Sequence, residues 1–95
     1  MEWKGVSKEE AKVFVYQFSN YELFAEDVFK YFNDYLKMDG LLKVTVQPFY
    51  VEVGFDRELS PEEEEKLKSK MEKFGLKLTE KRRYKGIRYA QAVEG

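Results

Sequence analysis

Six basic side chains, Lys77, Lys81, Arg82, Arg83, Lys85 and Arg88, crowd the last twenty residues against only Glu80 and Glu94. A guanidinium fork grips a phosphate or a carboxylate through two parallel hydrogen bonds, so this run is the first place to look for chemistry. Read as a hairpin turning at Lys85-Gly86, it sets Arg88 opposite Arg83 or Arg82, and like charges opposed across strands repel. An anionic partner, nucleic acid included, would relieve that repulsion. The structural reading of the same residues is a solvated edge hairpin whose charges discourage strand addition. The acid run Glu62 to Glu65 could suggest a metal or an acid–base pair. It follows Ser60-Pro61, however, where carboxylates sit favourably against a helix N-terminus.

Little other chemistry is open to the chain. It has no cysteine and no histidine, which removes disulfides, thiol catalysis, the usual zinc sites and the commonest general base. It carries no Gly-rich phosphate loop, nucleophile elbow or triad, so a noncatalytic protein without cofactor or metal is expected. The net charge is −1, distributed as −3 over residues 1–40, −2 over 41–75 and +4 over 76–95. The basic segment is a local patch on an acidic body.

Aromatic residues make up 17% of the chain. Trp3, Val13, Tyr16 and Leu23 find no obvious place in one small core, and they form the candidate interface for a protein partner or a second copy. Trp3 folding back over the first helix is the competing reading. The leading expectation is therefore a small protein-interaction or dimerisation module. The alternative is nucleic-acid or anion binding through the basic hairpin, residues 77–88.

The elements that must position these residues follow from period and punctuation. Ser7 and Glu10 have capping-box spacing, and Ala11, Phe14, Val15 and Phe18 then share one helical face, so a helix is predicted from Ser7. Ser19 and Glu22 repeat the spacing. A second helix should run to about Met38, closed by Gly40, with one unbroken helix as the rival. Leu42 to Phe55 alternates with period two, but the parity flips across Gln47-Pro48. A hairpin centred there pairs Val46 with Phe49, Val44 with Val51 and Leu42 with Val53, whereas one long bulged strand is the other way to flip parity. Ser60-Pro61-Glu62-Glu63 opens a third helix with Leu67, Met71 and Phe74 as its buried stripe and Gly75 as its stop. Leu76 to Val93 reads as two further strands, the last from Ile87 to Val93, with Ala90 and Ala92 on an open sheet face beside Lys77, Lys81, Arg83 and Arg88.

The fold expected is a single α+β domain, residues 1–95. It is a two-layer sandwich of order α-α-β-β-α-β-β with a four-stranded antiparallel sheet, which reads as a permuted ferredoxin-like unit behind an extra N-terminal helix. Charged residues at 37%, with few Asn and Gln, give a thermophile-like composition. No apolar run approaches the ~20 residues of a membrane helix, and Met1-Glu2-Trp3-Lys4 lacks a signal peptide's apolar stretch. A cytoplasmic chain without membrane contact is expected.

Overall fold

Val13-Phe14-Val15-Tyr16-Gln17-Phe18 is dense in β-branched and aromatic side chains, which suit a pleated buried surface. In the computed structural model, which describes residues 1–20 and 36–86, this run is a strand and not the predicted first helix. Phe14, Tyr16 and Phe18 face the main core, whereas Val13 and Val15 are buried on the other side with Tyr84 against them. A strand buried on both faces loses the alternation that would announce it, and the helical spacing of Ala11, Phe14, Val15 and Phe18 arises from the continuous apolar run. The Ser7 and Glu10 pair does meet. The Ser7 hydroxyl donates to the Glu10 carboxylate at 3.0 Å, and the Ser7 carbonyl accepts from the Glu10 and Ala11 amides at 3.1 and 3.0 Å. That closes one turn and no more, because the next amide, Lys12, donates instead to the Tyr84 carbonyl at 2.9 Å and draws the chain into the sheet.

The described residues form five strands: β1 (Trp3–Gly5), β2 (Val13–Ser19), β3 (Leu41–Gln47), β4 (Tyr50–Phe55) and β5 (Lys77–Tyr84). They stand in the order β1-β5-β2-β4-β3, with β1 parallel to β5 and each other neighbouring pair antiparallel. A mixed five-stranded sheet thus replaces the expected four-stranded antiparallel sheet and its α-α-β-β-α-β-β order. The expected permutation fails as well. The place beside β5 assigned to Ile87–Val93 belongs to β2, and β1 takes the other edge of β5 along Lys81–Arg83. The order β5-β2-β4-β3 is that of the same unit in its ordinary chain order. Residues 21–35 of the second predicted helix and the final strand with Tyr89, Ala90 and Ala92 lie outside the described residues, whereas Ser19, its expected cap, ends β2, and Lys37 and Met38 are not helical. Leu36 itself is helical and fully buried in the main core. Gly5 ends β1 at a close approach, since a Cβ there would run into the Arg83 carbonyl.

β3 and β4 form the expected hairpin in a shifted register. Val46 pairs with Val51, Val44 with Val53 and Gln47 with Tyr50, so Pro48 and Phe49 make the turn. Pro48 supplies the negative φ that opens a type II turn, and Phe49 takes the following position at φ +74°, where glycine is the usual occupant. A bulky side chain in that region costs about 1–2 kcal/mol. The Asn20 amide holds the Phe49 carbonyl at 2.8 Å. A second irregularity, a bulge between Leu41 and Lys43, leaves Leu42 exposed.

Between β4 and β5 lies α1 (Pro61–Glu72). Its start matches the local signals: the Ser60 hydroxyl accepts from the Glu63 amide at 3.2 Å, and Glu63 accepts from the Ser60 amide at 3.0 Å. Leu67 and Met71 are buried against Phe18, Val51, Phe55 and Leu76. The helix ends with the Leu76 amide donating to the Met71 carbonyl at 3.2 Å around Gly75 at φ +73°.

Arg57 secures this corner, donating to both Glu63 oxygens at 2.6 and 2.5 Å and to the Asp39 carbonyl at 3.2 Å. The guanidinium, aided by the Ser60 amide, holds the Glu63 carboxyl down to about 2 from an ordinary 4.5. With the folded value below the unfolded one, the unfolded chain binds the extra proton in this window. The pair's contribution is therefore complete above pH 4.5 and is lost as the pH falls toward 2. Urea midpoints measured across that range should fall more steeply for the wild type than for Glu63→Gln, and parallel curves would refute the assignment.

Candidate functional site

The basic strand β5 changes face part-way along. Gln17 pairs with Glu80 and Phe18 with Leu78, which leaves Thr79 as the extra residue of a bulge. Before the bulge Lys77 shares with Ser19 the face opposite α1. After it Glu80, Arg82 and Tyr84 occupy that face, while Lys81 and Arg83 turn to the α1 side with Leu78. Strict alternation had placed Lys77, Thr79, Lys81 and Arg83 together. One extra residue separates them.

Lys81, Arg82 and Lys85 are also neutralised within the chain. Lys81 pairs with Glu64 of α1, with its ammonium 5.4 Å from the centre of the Trp3 ring and 5.7 Å from that of Tyr16. Arg83 lies 5.1 Å over Trp3 from above the same cluster. On the face opposite α1 Arg82 donates to Glu80 at 2.8 Å, and Lys4 reaches the same carboxylate at 2.6 Å. Lys4 first, then Arg82, hold the Glu80 carboxyl below the usual range. Across Gln17, burial pushes the Glu52 carboxyl up, against the pull of Arg82 and Lys43. Lys85 meets Glu10 at 3.3 Å. Lys77 is exposed and has no ion pair among the described residues, and Arg88 lies outside them.

The apolar interface candidates are placed differently again. Tyr16 and Val13 are buried, and Leu23 lies outside the described residues. Trp3 folds back, as the competing reading had it, but over a strand and not a helix. Its ring meets Phe14 at 5.5 Å and 86° and Tyr16 at 5.3 Å and 79°, both edge-on. Trp3, Val13 and Tyr16 therefore form no exposed apolar patch.

The surface that sequence reasoning missed is the free edge of β3. At the opposite edge of the sheet β1 is three residues long and carries Lys4, a short charged strand of the kind that resists pairing. By contrast β3 spans seven residues, contains no proline and carries one charge, Lys43. Among the described residues its outer edge meets no strand. Gln47 and Tyr50 close the two-residue turn, so Gln47, Thr45 and Lys43 direct their backbone groups at β4 while Val44 and Val46 direct theirs outward. The Thr45 hydroxyl is buried and has no hydrogen-bond partner among the described residues. The signal was present in Leu42-Lys43-Val44-Thr45-Val46, but which strand stands at an edge depends on topology.

Among the described residues no three acidic side chains gather as a metal site, and no helix is long and apolar enough to cross a membrane. No family model matches the chain, and no curated protein and no solved structure matches it either.

Tyr16 belongs to the scaffold. Its hydroxyl accepts from the buried Leu59 amide at 2.9 Å, and burial raises its pKa. Tyr16→Phe strands that amide and should lower stability by about 1–3 kcal/mol. Urea unfolding followed by the fluorescence of Trp3, the single tryptophan, measures this; an unchanged midpoint would show that the hydrogen bond contributes nothing.

Proposed function

We propose that the chain is a small noncatalytic interaction module that self-associates by antiparallel pairing of β3 with β3 of a second copy. The β3 edge, unpaired among the described residues, carries the reading, because a row of outward N–H and C=O groups is a template for strand addition. The sequence of the strand favours its own antiparallel copy. Centred on Thr45, the pairing sets Val44 beside Val46 and Lys43 beside Gln47, so no like charges are opposed. A parallel, in-register pairing would instead bring the two Lys43 side chains together. Val44 and Val46 then exchange their outward backbone groups across the seam, and Thr45 stands beside Thr45 at the axis. The apolar side chains of both copies stay on the α1 side, which extends one core face across two sheets.

The seam is short, and the expected association is weak, with a Kd on the order of 0.1 mM. Sedimentation equilibrium at rising concentration should show a monomer–dimer equilibrium. Leu42→Lys with Thr45→Lys adds charge to the edge at one exposed and one half-buried position, and should hold the folded chain monomeric. A wild-type chain that stays monomeric at millimolar concentration, or a dimer indifferent to both lysines, would overturn the proposal.

A further inference from the structure

At one end of the sheet lies a cavity of 490 Å3, lined by Ser19, Asn20, Phe49, Tyr50, Gly75, Lys77 and Thr79. That size is within the range of small-molecule sites. Its floor is a row in register: Tyr50 on β4, Ser19 on β2 and Lys77 on β5 are cross-strand partners, spanning about 10 Å at the usual strand spacing. An aromatic ring, a hydroxyl and an ammonium thus stand side by side. The β5 bulge contributes a fourth group by bringing Thr79 beside Ser19 at 3.0 Å. Thr79 donates to the Gln17 carbonyl at 3.3 Å, so the Ser19 proton goes to Thr79 and the Ser19 oxygen is left with its lone pairs free to accept. Lys77 has no carboxylate partner among the described residues.

Phe49 is the second, independent observation. It is half exposed and outside the core, yet it occupies a left-handed turn position that glycine would fill without strain. Backbone strain of this kind gathers at ligand clamps. Packing among the described residues offers no reason for a phenyl ring there, whereas a ring at the cavity mouth supplies an aromatic wall.

We infer that this cavity binds a small aromatic carboxylate bearing a hydrogen-bond donor on its ring. The ring stacks on Phe49 and Tyr50, the carboxylate meets the Lys77 ammonium, and the donor reaches the Ser19 oxygen. The site uses the β4-β2-β5 row and not the β3 edge, so it stands or falls independently of self-association.

The test is an amide-resolved NMR titration of the full chain with 4-hydroxybenzoate, and with benzoate, cyclohexanecarboxylate and benzyl alcohol as probes lacking the donor, the aromatic ring and the charge. Saturable shifts are expected at Ser19, Phe49, Tyr50 and Lys77 for 4-hydroxybenzoate, with weaker binding of each control. Lys77→Met should weaken binding severalfold, and Ser19→Ala should bring 4-hydroxybenzoate down to the affinity of benzoate. Phe49→Gly separates fold from ligand: it should raise the urea midpoint by relieving the strained turn while it weakens binding. No saturable shift at these residues, equal binding of all four probes, or binding unchanged by Lys77→Met and Phe49→Gly would each overturn the inference.

Discussion

A strand flanked along both edges and covered on both faces must carry apolar side chains at odd and even positions alike, and β2 meets that demand. β4 and β5 take its two edges, Phe14, Tyr16 and Phe18 enter the core beneath α1, and Val13 and Val15 are buried on the other side. The remaining architecture depends on it. β4 and β5 run parallel to each other with β2 between them, so their link must cross β2, and α1 makes that crossing with Leu67 and Met71 against Phe18. The Tyr16 hydroxyl anchors the Leu59 amide just ahead of α1, and its ring is the wall on which Trp3 and Phe55 pack edge-on.

Where sequence signals were local, they were legible. Ser60, Pro61, Glu63 and Gly75 mark the ends of α1 because caps act within one turn, with no reference to the rest of the chain. The valines of β3 and β4 share the face their alternation assigned them, although the pairing slid by two residues. No propensity argument selects phenylalanine for a turn position with positive φ. Illegible from sequence was anything decided by tertiary context. The apolar run of β2 fits helix and buried-strand templates together, and the Ser7 box, a sound local signal, closes one turn before the Tyr84 carbonyl captures Lys12. A one-residue bulge at Thr79 was enough to divide the basic run between two faces.

That division changes what the charges do. Clustered in sequence, the cations suggested one electropositive surface, yet Lys81 and Lys85 find carboxylates elsewhere in the chain, Glu64 and Glu10, and Arg82 finds Glu80 on its own strand. Pairing of this kind between elements contributes modestly to stability and mainly fixes which surfaces meet. Interaction capacity is left to positions the ion pairs do not reach: the backbone of β3, and the Tyr50-Ser19-Lys77 row, where the one exposed cation of β5 stands beside hydroxyl and aromatic groups.

Val13–Ser19 is the central strand on which the other elements assemble, and amide-resolved NMR of the chain tests this placement. The structure requires slow exchange for the amides of β2 and cross-strand contacts from Tyr16 to both Val53 and Lys81. Helical contacts between residues three apart along 11–18, with none from Tyr16 to Val53 or Lys81, would contradict it.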